Sequence, residues 1–131
     1  MLKARLIYLG LIVITVITGL ITRELSSVIP LFIGDILWGL TAFLLMRFLF
    51  IKKSLQFAVV ISGIYVTLTE LSQLYHAPWI DKIRPTFIGR VMLGETFLLT
   101  DILCYFIGIG LGILIELSLR TLVRSMYPEL D

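Results

Sequence analysis

Asp35, Glu70 and Asp101 are acids set inside otherwise apolar stretches, and their positions demand a chemical explanation before anything else in the chain. An ionised side chain at membrane depth costs about 3 kcal/mol on insertion scales, and more where it meets lipid unpaired, so such acids face a protein interior or a wet cavity. They also need countercharges and hydrogen-bond donors. The candidates nearby in the sequence are Arg23, Lys82, Arg84 and Arg90, with Gln73, Tyr75 and Tyr105 as neutral neighbours. Two carboxyls held in different environments can divide the roles of acid and base. On that chemistry Glu70 and Asp101, with Asp35 beside them, are the candidate catalytic groups, and Arg23, Gln73, Tyr75, Trp79, Arg84, Arg90 and Tyr105 the candidate ligand-binding ones.

The elements that must carry these residues follow from composition. Hydrophobic residues make up 59% of the 131 positions, and the mean hydropathy is +1.05, far too apolar for a soluble domain of this length. Four uncharged or nearly uncharged runs are long enough to cross a hydrocarbon core of about 30 Å: residues 6–22, 31–51, 55–75 and 97–119. They are continuous rather than alternating, and longer than a transmembrane strand, so they read as helices. The expected fold is therefore all-α, a single integral membrane domain built as a four-helix bundle. The first run follows Lys3 and Arg5, but it ends in ITRELSS with no small-residue cleavage pattern, so it is read as a retained helix.

Loops 23–30 and 52–54 are short, which makes the first three helices antiparallel neighbours. The segment 76–96, HAPWIDKIRPTFIGRVMLGET, is too polar to span and too apolar to float free. Ile83, Phe87, Ile88, Val91 and Met92 have roughly helical spacing, and Trp79 is suited to a headgroup layer, so an interfacial or shallow re-entrant helix is expected there. Seven of the basic residues (Lys3, Arg5, Arg47, Lys52, Lys53, Arg120, Arg124) fall on the side of the termini, against four (Arg23, Lys82, Arg84, Arg90) on the other. That bias places both termini in the cytoplasm of a bacterial inner membrane.

With this topology Glu24, Asp35, Glu70, Asp81, Glu95 and Asp101 all lie on the outer side. At 1.5 Å per residue the three intramembrane acids sit roughly 6–8 Å below the outer ends of their helices. Helical spacing aligns Asp35 with Trp38, Gly39 and Ala42, Glu70 with Gly63, Thr67 and Gln73, and Asp101 with Tyr105, Gly108 and Gly112. Tyr8, Thr15, Thr18 and Thr22 give the first helix a polar stripe, and the glycines permit close helix approach beneath the polar layer.

Several functions are excluded or left without a motif. The net charge is only +2 and the basic residues form no stripe, which sets nucleic acid aside as a partner. The lone Cys104 permits no internal disulfide and reads as a buried, inert thiol. No spacing is diagnostic of a metal site, and nearby arginines argue against a cation, so neither metal nor cofactor is expected. His76 reads as a surface hydrogen-bonder. The glycines of GIGLG at 108–112 lie within a span with no strand before them, which rules against a nucleotide loop.

Arg23, Pro30, Gly34-Asp35-Ile36-Leu37-Trp38, Glu70-Leu71-Ser72-Gln73-Leu74-Tyr75, Pro78-Trp79, Arg84, Gly89, Leu93-Gly94, Asp101, Tyr105 and Gly108 form an ordered set from about residue 19 to 116. This set resembles the small bacterial membrane proteins grouped as domain of unknown function 2809. The resemblance implies a small bacterial integral membrane protein and assigns no activity. A more distant likeness runs to VanZ-like proteins, some of them associated with resistance to lipoglycopeptide antibiotics. Their Glu-x2-Gln, Arg and Asp-x3-Asn-x2-Gly-x3-Gly pattern is approximated by Glu70, Gln73, Arg84 or Arg90, Asp101, Gly108 and Gly112, with Tyr105 at the Asn position.

Several readings of the acidic cluster remain open on sequence alone. It can fix helix register as a structural network. It can form an outward-facing pocket for a lipid or lipid-linked amphiphile, with arginines holding phosphate by charge-assisted bonds, with or without catalysis. It can belong to a small proton-coupled transporter, for which one chain offers few polar groups in its inner half. The chain can also be an accessory subunit, with Phe43, Phe48, Phe50 and Phe57 as aromatic surface for a membrane-protein partner or a homo-oligomer.

Overall fold

The computed structural model describes residues 1–93 and 98–126, with the side chains of Val91, Met92 and 122–126 left aside. Glu95, Phe97, Glu129 and Asp131, which enter the sequence-based topology, lie outside the described residues. The chain forms α1 (Leu2–Glu24), α2 (Leu31–Leu49), α3 (Leu55–Ser72), α4 (Pro78–Ile83), α5 (Phe87–Leu93) and α6 (Leu99–Met126). Of these, α1, α2, α3 and α6 are long and apolar enough to cross a membrane. The protein is a multi-pass helical membrane protein.

The packing of α1 shows why this composition suits lipid. Its buried residues are Tyr8, Thr15 and Thr22, while Leu6, Ile7, Val13, Ile14, Ile17 and Ile21 are exposed. Polar groups turned inward and hydrocarbon turned outward is the reverse of a soluble helix. Thr15 and Thr22 spend their hydroxyl protons on the backbone of their own helix, donating to Leu11 O at 2.6 Å and Gly19 O at 2.7 Å. Thr18, expected in the same polar stripe, is exposed and donates to Ile14 O.

The centre of the bundle is α2, which packs against α1, α3 and α6, while α6 also packs against α3. The crossing of α2 and α6 is the most intimate of these. A Cβ on Gly39 would lie 2.2 Å from the Tyr105 carbonyl oxygen, and one on Gly108 would lie 2.0 Å from the Ile36 carbonyl oxygen. Only glycine permits backbones to meet this closely, and in lipid such contact replaces the hydrophobic drive that water would supply. Below the crossing, Phe43, Leu44, Ala58, Val66 and Ile109 form a dry core. Phe43 is fully buried there, so it is no part of an aromatic outer surface.

Helix boundaries depart from the hydropathic runs for local reasons. The helical pattern of α1 continues back through Lys3 and Arg5 to Leu2. The regular part of α3 stops at Ser72 rather than 75, because Gln73, Leu74 and Tyr75 donate to carbonyls three residues back and tighten the turn. Between α3 and α6, Pro85 cannot continue a helix, so the connecting segment holds two short helices in place of one. Pro78 occupies the first turn of α4, and Thr86 caps α5 by accepting from Gly89 N at 3.0 Å. Trp79, Phe87 and Ile88 are exposed along this segment.

Candidate functional site

The start of α2, the start of α6, and the ends of α1 and α3 share one end of the bundle, and each contributes to a cleft of about 570 Å³. Asp35 lies one turn above Gly39 on α2, and Asp101 one turn above Tyr105 on α6. The close crossing of Gly39 with Tyr105 therefore brings the two carboxyls together, and they act directly on each other. Arg23 reaches the same place because α1 ends beside Gly34 of α2; it lines the cleft and is the countercharge acting on Asp35. Gln73, Arg90, Thr100 and Tyr105 complete the polar wall, and Leu31, Phe32 and Leu98 are exposed apolar residues at its edge.

Glu70 is fully buried behind this wall. Its Oε1 accepts from Leu98 N at 3.1 Å, and its Oε2 accepts from Gln73 Nε2 at 3.4 Å. Gln73 also donates through Nε2 to Leu93 O at 3.0 Å. Glu70 thus links α3 to the residue that precedes α6, and it holds Gln73, which does line the cleft. Gln73 Oε1 is buried with no hydrogen-bond partner.

The remaining sequence-based candidates lie elsewhere. Arg84 is buried, and it donates to Asp81 Oδ1 at 2.8 Å and to Ser72 O at 2.6 Å. It thereby closes the carbonyl end of α3 and ties α4 to it, and it is not among the cleft-lining residues. Tyr75 and Trp79 are exposed and lie ring against ring, with centroids 6.2 Å apart, on the outside of this end. Cys104, expected to be buried, is half-buried and lines the cleft with Thr100, a neighbour of Asp101 that polarity and position could have flagged. Among the described residues no group of three or more His, Cys, Asp or Glu side chains is arranged to hold a metal ion.

A second polar cluster sits at the opposite end of the bundle. Arg47 Nε donates to Glu116 Oε2 at 2.7 Å, and Arg47 Nη1 donates to Lys53 O at 2.8 Å. The Arg47 guanidinium also lies 5.8 Å from the Tyr8 ring centre. Arg120 reaches the other oxygen of Glu116 at 2.5 Å, the i,i+4 contact expected from spacing, yet Glu116 is 2% exposed rather than interfacial. The signal for Arg47 with Glu116 was there to find: two opposite charges at similar depth on different spans.

These features define a class: a small multi-pass helical membrane protein with one closed, ion-paired polar cluster and one open, acid-rich cleft. Residues 25–109 match the family described as "Protein of unknown function (DUF2809)", and the chain belongs to that family. The match carries no link to VanZ-like proteins. No solved structure matches the chain.

Proposed function

We propose that the protein binds the headgroup of an amphiphile, a lipid or a lipid-linked molecule, in the cleft between α2, α3 and α6. The observation that carries this reading is the cleft itself. Its volume of about 570 Å³ falls in the range of roughly 300–1,000 Å³ common for small-molecule sites. It also joins charged groups of both signs to exposed apolar residues at one edge. A headgroup would occupy the polar part while its chains lie along Leu31, Phe32 and Leu98, which are exposed. The bias of basic residues toward the opposite end supports a cleft at the outer leaflet of a bacterial inner membrane, with both termini in the cytoplasm. Asp35, Asp101, Gln73, Arg23 and Arg90 are the contact residues, and Glu70 and Tyr105 hold Gln73 and the cleft wall in place.

Native mass spectrometry of protein extracted in a mild detergent tests this reading. The expected result is a retained lipid whose occupancy drops when Asp35 and Asp101 are both changed to Asn. Retention of lipid to the same extent in that double variant would overturn it.

A further inference from the structure

Resting on that reading, we infer that one acyl chain of the bound lipid lies in the groove between α1 and α2, with the lipid phosphate held at Arg23. The groove runs beside the cleft and shares one residue with it, since Arg23 lines both. Below Arg23, Gly19 and Thr15 belong to the α1 wall, and Gly34, Trp38 and Thr41, spaced i, i+4, i+7, belong to the α2 wall. From Thr15 to Arg23 the groove is roughly 12 Å long at the helical rise per residue. Its volume of about 70 Å³ is too small for a ligand of its own, so it serves as an extension of the cleft.

The walls are apolar in effect, although two threonines line them. Thr15 donates its hydroxyl to Leu11 O at 2.6 Å and Thr41 donates to Leu37 O at 2.8 Å, so neither asks for a polar partner. Arg23 is the one charged residue among the described residues of the wall, and it is exposed at the end that carries the cleft. A cation above an apolar furrow complements an anion joined to a chain, which is the make-up of a phospholipid. The two glycines sharpen the case. At Gly39 and Gly108 a Cβ would strike the backbone of the facing helix, whereas at Gly34 the nearest atom is Thr22 Oγ1 at 3.7 Å and at Gly19 it is Leu37 Cβ at 3.9 Å, both ordinary contacts. The packing of the bundle therefore does not require glycine at 19 or 34, and glycine weakens a helix. What the missing side chains leave is an open furrow on the outside of the bundle. Between two membrane spans no water covers such a furrow, and bare walls forfeit the dispersion contacts that a chain supplies.

Trp38 lies in the groove wall and can report on it. The test uses the full chain carrying Trp79→Phe, which leaves Trp38 as the sole tryptophan, in a neutral detergent with dioleoylphosphatidylglycerol or the same lipid brominated at its double bonds. Trp38 fluorescence is expected to fall with the brominated lipid and to level off as a single site fills, which marks a held chain rather than the general surroundings. Gly19→Leu, which fills the groove, should raise the lipid concentration for half-quenching about tenfold, and Arg23→Gln should raise it about fivefold. Gly10→Leu places the same bulk on a face of α1 where a Cβ meets nothing within 4 Å, and should leave quenching unchanged. Gly34→Leu blocks the groove from α2 and keeps the test available if Gly19→Leu lowers thermal stability.

Quenching that never saturates, or that the changes at Gly19, Gly34 and Gly10 alter equally, would overturn the assignment of the chain to the groove, and Arg23→Gln without effect would remove the phosphate from Arg23. Lipid retained in native mass spectrometry while Trp38 stays unquenched leaves the headgroup cleft standing and removes the groove. Saturable quenching that persists undiminished when Asp35 and Asp101 are both changed to Asn supports the groove and removes the cleft as the headgroup site. Quenching lost both there and in Gly19→Leu supports the two together.

Discussion

At the end of the bundle that carries loop 50–54, Glu116 is met by Arg47 and Arg120, whereas at the other end Asp35 meets Asp101. Both clusters lie within spans, and both join α2 to α6, yet they are built by opposite rules. The first is closed: Arg47 and Glu116 are each 5% exposed or less and satisfy one another's charge. The second sets two acids, Asp35 and Asp101, in one open cleft that Arg23 and Arg90 also line. Like charges in a medium of low dielectric oppose folding. One end of the bundle pairs its buried charges across α2 and α6, and the other gathers its acids around an open cleft.

The largest effect that would test this contrast comes from Arg47→Met. It leaves a buried Glu116 with half its partners and should cost about 3–5 kcal/mol, measured by equilibrium unfolding in mixed micelles. Adding Glu116→Leu should restore most of that loss, and a double variant as unstable as the single one would show that the pair is not what holds this end. Next in size is Gly108→Ala, which pushes α2 and α6 apart beneath the cleft and should cost about 1–3 kcal/mol. Gly110→Ala, which would meet nothing within 4 Å, should stay within about 0.5 kcal/mol in the same assay. The smallest effect on stability is expected from Asp35→Asn, which relieves repulsion and should leave unfolding unchanged or raise it by up to about 1 kcal/mol. Its lipid occupancy should nevertheless fall. Destabilisation by Asp35→Asn comparable to that by Arg47→Met would erase the distinction between the two ends.

Much of this arrangement is legible in the chain. Length and apolarity locate the four spans, because the hydrocarbon thickness dictates how long a helix must remain uncharged. Counting residues from the helix ends places Asp35, Glu70 and Asp101 at a common end. Depth alone, however, does not reveal rotation about each helix axis. That is decided by pairwise contacts such as Gly39 against Tyr105, and it makes Asp35 and Asp101 cleft residues while Glu70 is shut behind them. Arg84 looked like a phosphate ligand because a basic residue after a span is attractive to anions. Its partners Ser72 and Asp81 come into reach only once α4 folds back on the end of α3. The Arg47 to Glu116 bond joins residues 69 positions apart, and the nearer Arg120 masks it, since local spacing explains Glu116 without requiring a second partner.

The closest seam in the molecule joins α2 to α6, segments that leave the ribosome far apart in time. Until α6 emerges, the bare backbone around Gly39 has no mate, and α1 and α3 can cover only their own sides of α2. Biogenesis of this region is therefore a matter of waiting: α2 precedes α6 in the chain, and its glycine seam closes only when α6 threads in beside it.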